Sequence, residues 1–366
     1  MVVSVNASPG AATRLTSPDY FLESIDLDQD QAQFLRIERG VYESSAFLDH
    51  RMHLPKNAAQ RERVPLQSIP VADIPKPRMG YIFHTAFCCS TLLTRCLASG
   101  GDCRALREPD VLMQMANYKR LGHPAYADKS RWLVAVEKVN RLLGRHYDER
   151  EVVLVKPTNA ANNLIPEIIQ LPHCPPVVLL YGSLRDFLVS IAKKEQAYRT
   201  MLRRLFNVIR MDDGQSDQIE PRQLLELTDL QIAAFVWQLQ IDHYLQTLGR
   251  FTNKPVCSLN FRHLLDQPRQ TLAGLSAWFS LGFQAAHIEA IVTGNVFSRD
   301  AKHTGSKYSA AARKQEEEQT LQLFGRDIED TLTWHQQAYH GTRPGLPLPR
   351  PLELRGSKSA QPVRGV

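Results

Sequence analysis

One short stretch of this 366-residue chain, Tyr81 to Leu97 (YIFHTAFCCSTLLTRCL), gathers the residue types best suited to chemistry. An apolar run breaks through small residues, Thr85, Cys88 and Cys89 among them, into a helical pattern opening on Ser90-Thr91. A helix start presents backbone N–H groups that no earlier turn has used, and its dipole adds partial positive charge. Such a start holds phosphate or sulfate. The hydroxyls of Ser90 and Thr91 add two donors, although Ser and Thr are also the favoured residues for a plain cap. The segment lacks the Gly-Lys-Ser/Thr ending of an ATP-type phosphate loop, which counts against a kinase or ATPase.

A thiol at a helix start loses its proton more readily, so Cys88 and Cys89 invite a nucleophile reading. Cys89 and Arg95 have the Cys-x5-Arg spacing of a phosphatase loop, yet the intervening Ser-Thr-Leu-Leu-Thr has no glycine with which to cradle an anion. Small cysteines packed in a tight turn are the better reading. His84 titrates in the range useful to a proton acceptor, but a buried, hydrogen-bonded histidine is the commoner fate. Lys156 closes the apolar run Glu151–Lys156 (EVVLVK). An unpaired ammonium is costly to bury, so Lys156 must reach a surface or a partner. Ligand sites gather at the carboxyl ends of parallel strands.

The elements that must position these groups follow from periodicity. Met79–Phe83, Glu151–Lys156, Val177–Tyr181 and Val256–Phe261 are short apolar runs suited to buried strands. Helical patterns lie between and after them, at Asp186–Arg210, Gln223–Gly249, Arg269–Leu281 and Ser309–Tyr339. Leu92, Leu93, Cys96 and Leu97 form one stripe of the helix after Ser90. Alternating buried strands and helices imply an α/β three-layer sandwich with a mostly parallel sheet. The rest of the chain divides into a loose start (1–17), a segment 18–78, and a tail (341–366). In the second, Phe34, Leu35, Ile37, Val41 and Tyr42 suggest a helix between Asp19 and Arg51, followed by an extended proline-rich linker from Pro55 to Pro77. The tail holds five of the 22 prolines and shows no hydrophobic period, so it is expected to be disordered.

TAFCCSTLLTRCL resembles the phosphosulfate-binding loop of the sulfotransferases, a basic residue, Ser, Gly, Ser/Thr, Thr, then Leu-Leu or Trp. Cys89 stands where glycine is common and Phe87 where the base is usual. The resemblance is closest to divergent bacterial sulfotransferase-like proteins and runs from about Met79 to Tyr308. It implies a P-loop NTPase-like α/β fold, 3′-phosphoadenosine 5′-phosphosulfate as donor, no metal, and a small-molecule, glycan or lipid acceptor. Leu180–Lys193 resembles the family segment that holds the donor's 3′-phosphate, where Asp186 and Ser190 match. The family's Arg would fall on Gly182, and Arg185 is its substitute. Asn260-Phe261-Arg262-His263-Leu264-Leu265 stands in place of Arg-Tyr-Glu-Asp-Leu-Leu and is assigned no chemistry. Arg299, Lys302 and Lys307 are candidates for the basic residues that cover the nucleotide. The missing loop base is to be supplied by His84, Lys156 or a distant segment.

The resemblance also makes Glu108, in Leu106-Arg107-Glu108-Pro109, the base for the acceptor's proton, with a pKa raised by an anionic donor. His84 is its rival, and Lys156 would steady the departing bridging oxygen. The missing glycine and base leave a second class open, a non-catalytic nucleotide- or partner-binding protein.

Charge sharpens rather than extends these readings. Lys+Arg 44 against Asp+Glu 38 gives +6, but the tail's five bases and single acid account for most of that excess. What is left is too little for a nucleic-acid footprint. No leader pattern opens the chain, no apolar run reaches the roughly 18 residues of a span, and six cysteines without a CxxC spacing suit a reduced, cytoplasmic protein.

Overall fold

The computed structural model describes residues 15–52, 60–100, 102–212, 221–298, 310–338 and 346–354. The segment expected to be one N-terminal helix is a hairpin. β1 (Tyr20–Asp26) pairs antiparallel with β2 (Gln31–Arg36), and β3 (Arg61–Pro65), from the supposed linker, adds to the far side of β2. Ala32 and Phe34 are buried on alternate positions, as a strand demands. The alternation is hard to read because β1 carries a register shift between Leu22 and Ser24. Only Arg39–Ser44 is helical, which is where Tyr42 is buried.

The second sheet has five strands: β4 (Met79–His84), β5 (Cys103–Arg107), β6 (Val152–Lys156), β7 (Val177–Tyr181) and β8 (Val256–Asn260). All neighbours run parallel, in the order β5-β6-β4-β7-β8. β5 does not appear among the strand runs read from the sequence. Alternate residues of one strand fall into two separate cores. Tyr81, Phe83, Val153, Val155 and Leu179 belong to one, and Ile82, Val152, Leu154, Val178 and Leu180 to the other. Both faces of the sheet are therefore covered, and the domain is an α/β sandwich with helices on each side. The Leu92, Leu93, Cys96 and Leu97 stripe of the Ser90–Ala98 helix lies in the second core as its spacing predicts.

β4 leads towards β5 on one side of the sheet, whereas its neighbour β7 leads to β8 on the other. Adjacent strands whose connections part in this way open a crevice beyond their carboxyl ends. The segments after β4 and after β7 form its two walls.

Part of the tail is ordered, against expectation. Leu348 and Leu352 are buried. Residues 346–354 run beside β8, with Ser258 N donating to Arg350 O at 2.9 Å and Leu352 N to Ser258 O at 2.8 Å. Leucines at 346, 348 and 352 keep a two-residue period that the intervening prolines disguise.

Candidate active site

A cavity of about 650 Å³ occupies the crevice. One wall is the loop from β4 into the Ser90–Ala98 helix. The helix has no side-chain cap, and Ser90 and Thr91 line the cavity from its first turn. Ala86, Phe87 and Cys89 take left-handed backbone angles, with φ of 67°, 51° and 56°. Glu108, at the end of β5, does the same at 55°. Four of the seven non-glycine residues with positive φ among the described residues thus line this one cavity. Each stores strain on the order of 1 kcal/mol, a feature that clusters where function over-determines the backbone. Cys89 thus holds an angle that glycine adopts without penalty.

Buried amides fix this loop from behind. Asn162 donates to His84 O at 3.2 Å, and Gln240 to Thr85 O at 3.3 Å and to Val236 O at 2.9 Å. His84 is held on both ring nitrogens. Nδ1 accepts from Ala86 N at 3.0 Å, which leaves Nε2 to donate to Pro157 O at 3.1 Å. Its imidazole faces the cavity, yet its geometry is that of a loop-fixing group rather than an available base.

Glu108 sits at the centre of an ionic cluster that joins the buried Lys156 to the exposed Arg51. Lys156 Nζ donates to Oε1 at 2.6 Å and Arg51 to Oε2 at 2.9 Å. Burial alone would raise the carboxyl pKa, but Lys156, by its charge and its hydrogen bond, leads the groups that override it and hold it at about 2. The raised value expected for a base is therefore absent in the donor-free site. Lys156 is fully buried and does not line the cavity; it underpins Glu108 rather than reaching past it. Arg51 is contributed by the N-terminal segment, whose course is set by Arg107. That guanidinium donates to the carbonyls of Tyr42, Glu43 and Ser45 at 2.6, 3.0 and 2.9 Å, while Leu48 N donates to Arg107 O at 2.7 Å.

The opposite wall carries Asp186 and Ser190 from the Leu184–Ala192 helix and Lys193 just after it, with Arg262 from the segment after β8. Arg262 donates to Asp186 Oδ1 at 3.0 Å and to Glu317 at 2.9 Å. Asp186 also closes a capping box with Ser183. Arg185 is elsewhere: its guanidinium pairs with Glu329 at 2.5 Å, and it does not line the cavity. Gly182 could not have carried the family's Arg, because a Cβ there would lie 2.7 Å from the Phe261 ring. Arg262 lies beside that same ring, 5.5 Å from its centre.

Six cationic side chains line the cavity (Arg51, Lys193, Lys194, Arg204, Arg262, Arg313) against three carboxylates (Glu108, Asp186, Glu317). Sequence reasoning assigned chemistry to none of the six. Phe87, in the position of the usual base, is instead stacked edge-on against Phe187 and Tyr198 at 5.4 and 5.6 Å. Thr85 and Cys88 lie behind the loop and do not reach the cavity, whereas Cys89 does. Burial pushes the Cys88 thiol up to about 12 and raises Cys89 as well, which counts against the nucleophile reading. Arg299, Lys302 and Lys307 lie outside the described residues. Among the described residues no group of three His, Cys, Asp or Glu could hold a metal ion, and no helix is long and apolar enough to cross a membrane.

No protein-family model matches the chain, and no curated protein does. Among solved structures it is similar to the sulfotransferase domain from the curacin biosynthetic pathway, with a TM-score of 0.37 and 12% identity over 68% of this chain and 98% of that one. A sulfotransferase from Mycobacterium avium matches with a TM-score of 0.36 and 11% identity, covering 71% and 80%. A sulfotransferase from Alicyclobacillus acidocaldarius gives 0.33 and 13%, covering 72% and 97%. At these scores and identities the three mark a likeness in fold and assign no activity.

Proposed function

We propose that the chain transfers a sulfuryl group from 3′-phosphoadenosine 5′-phosphosulfate to a hydroxyl or amine. The observation that carries this reading is the cation-rich cavity at the switch point, where the Ser90 helix start faces Ser190 and Arg262. The resemblance of TAFCCSTLLTRCL to a phosphosulfate loop supports it. The sulfate and 5′-phosphate oxygens accept from the free amides and hydroxyls of Ser90 and Thr91, and the 3′-phosphate from Ser190 and Arg262. The acceptor oxygen attacks sulfur in line, its proton passes to Glu108, and the sulfur–oxygen bond to the 5′-phosphate breaks to release adenosine 3′,5′-bisphosphate. Donors fixed around the equatorial oxygens lower the barrier because they need not reorganise as charge shifts.

Glu108 gains basicity in the loaded site. The donor's negative charge competes for Arg51, which lines the cavity, and disfavours a second anion nearby, so the carboxyl pKa rises from its resting value. A non-catalytic binding role draws on one observation, the firm hold of Lys156 and Arg51 on that carboxylate.

Differential scanning fluorimetry with adenosine 3′,5′-bisphosphate, and ATP as control, tests the binding half. A melting temperature raised by the bisphosphate alone supports it, and no shift at millimolar concentration overturns it. Transfer of labelled sulfate to a mixed acceptor extract tests the chemistry. Binding without transfer in the presence of many acceptors selects the non-catalytic role.

A further inference from the structure

Two neighbouring carboxylates already occupy cations on the wall assigned to the donor's 3′ end. Glu317 accepts from Arg262 at 2.9 Å, and Glu316 accepts from Lys193 at 2.8 Å. Both belong to the Ala310–Ala338 helix, which packs against the Leu184–Ala192 helix. The cluster lies beside the anion loop. Burial raises the Cys89 thiol pKa, and the charges of Arg313, Arg262 and Lys193 pull it back.

The two ends of the Ala310–Ala338 helix are held differently. From Thr320 onwards it is packed: Thr320, Ile328, Thr331 and His335 are buried, and Trp334 meets Phe235 edge-on at 5.3 Å. From 312 to 319 no residue is buried, and this end meets the cavity wall through the Glu316 and Glu317 ion pairs. The two glutamate side chains are 42% and 34% exposed, and pairs that water reaches so readily are weak and easily exchanged. Asp186, the other carboxylate on Arg262, is different. It is only 11% exposed and accepts from both the backbone and the hydroxyl of Ser183, so it orients the guanidinium and stays in place.

Resting on the sulfotransferase reading, we propose that Glu316 and Glu317 are specificity-determining residues, built-in competitors that occupy the 3′-phosphate subsite of the empty protein and yield it to a phosphate dianion. A phosphate monoester carries nearly two charges on three oxygens and draws on Arg262 and Lys193 together, whereas each glutamate satisfies one of them. A monoanion only exchanges one single charge for another and is turned away. Residues 312–319 leave the wall as the phosphate binds, and the two pairs re-form as it departs.

The test is calorimetric titration of the full chain with adenosine 3′,5′-bisphosphate and with the 5′-monophosphate, in the parent and three variants. Glu316→Gln and Glu317→Gln are each expected to tighten the bisphosphate roughly three- to tenfold and to leave the 5′-monophosphate unchanged. Glu318→Gln is the control, because Glu318 is paired along its own helix with Lys314 at 3.8 Å, and it should alter neither ligand. In the parent, amide exchange at 312–319 should quicken on adding the bisphosphate, while that at 328–335 stays as it was. The proposal is overturned if neither Glu316→Gln nor Glu317→Gln tightens the bisphosphate, if both nucleotides gain equally, if Glu318→Gln gives the same gain, or if exchange at 312–319 does not quicken. A parent that binds the bisphosphate without these differences leaves the donor reading standing. If none of the four proteins binds it at millimolar concentration, the donor reading falls, and inorganic pyrophosphate decides the competition alone: tighter binding in Glu317→Gln than in the parent upholds it, and equal binding overturns it.

Discussion

Lys156 Nζ lies 2.6 Å from Glu108 Oε1, and the two residues are also joined through the backbone, Glu108 N donating to Lys156 O at 2.6 Å. β5 and β6 thus end in a doubly bonded pair whose lysine has no exposed surface. The carboxylate belongs to the site and the ammonium belongs to the core.

Removing either member strands the other. Lys156→Met and Glu108→Gln should each destabilise the fold by about 3–5 kcal/mol, the range found when one partner of a buried pair is lost. The double variant should cost clearly less than the sum of the two. Urea unfolding of the four proteins measures the coupling; strictly additive losses would show that the pair is not a unit.

Glu108 also sets an acid sensitivity. Its folded pKa, about 2, lies below the ordinary 4.5, so its stabilising contribution is complete above pH 4.5 and is lost as pH falls towards 2. The whole effect is roughly 3 kcal/mol. Unfolding free energy should fall across this window in the parent and fall less in Glu108→Gln. For the same reason, kcat/KM should have no acid limb from Glu108 between pH 4 and 7, because that ratio reports the free enzyme, while kcat should show one. An acid limb at the same pH in both would contradict the donor-induced rise.

Arg262 and not Arg185 should hold the 3′-phosphate. Arg262→Ala is expected to weaken adenosine 3′,5′-bisphosphate by roughly 10- to 100-fold and the 5′-monophosphate much less, the loss typical of one charged hydrogen bond. Arg185→Ala should alter neither. Calorimetric titration of both ligands decides it, and an equal loss of the two in Arg262→Ala would move that side chain away from the 3′ end.

The amides behind the anion loop should act on the site without touching a ligand. Asn162→Ala and Gln240→Met each free a loop carbonyl, at His84 and Thr85, and are expected to weaken bisphosphate binding by about tenfold, near the worth of one hydrogen bond. Hydrogen exchange of the amides at 85–91 should quicken in both variants. Weaker binding with unchanged exchange would assign the loss to some other cause.

The parts of this molecule that could be read in advance are those whose signal is local. The β4 strand, the break at 85–89 and the Ser90 helix are one continuous pattern, and Glu108 follows a few residues on. Arg262 was legible only as a cation standing where the family has an acid, a signal that gains meaning once Gly182 is known to abut Phe261. Arg51 offered none, because it arrives through carbonyl bonds to Arg107 from a segment whose strands read as a helix. The register shift in β1 hid the alternation there, and prolines hid it in the tail.

That tail has a consequence for how the protein behaves in solution. β8 is the last strand of its sheet, and a bare last strand offers its amides and carbonyls to any neighbouring chain. Residues 346–354 occupy that position, and Pro349 and Pro351 have no N–H with which to carry a ladder further. The proline-rich strip is a selvedge: it finishes the weave beside β8 with residues poorly suited to knitting on a second molecule.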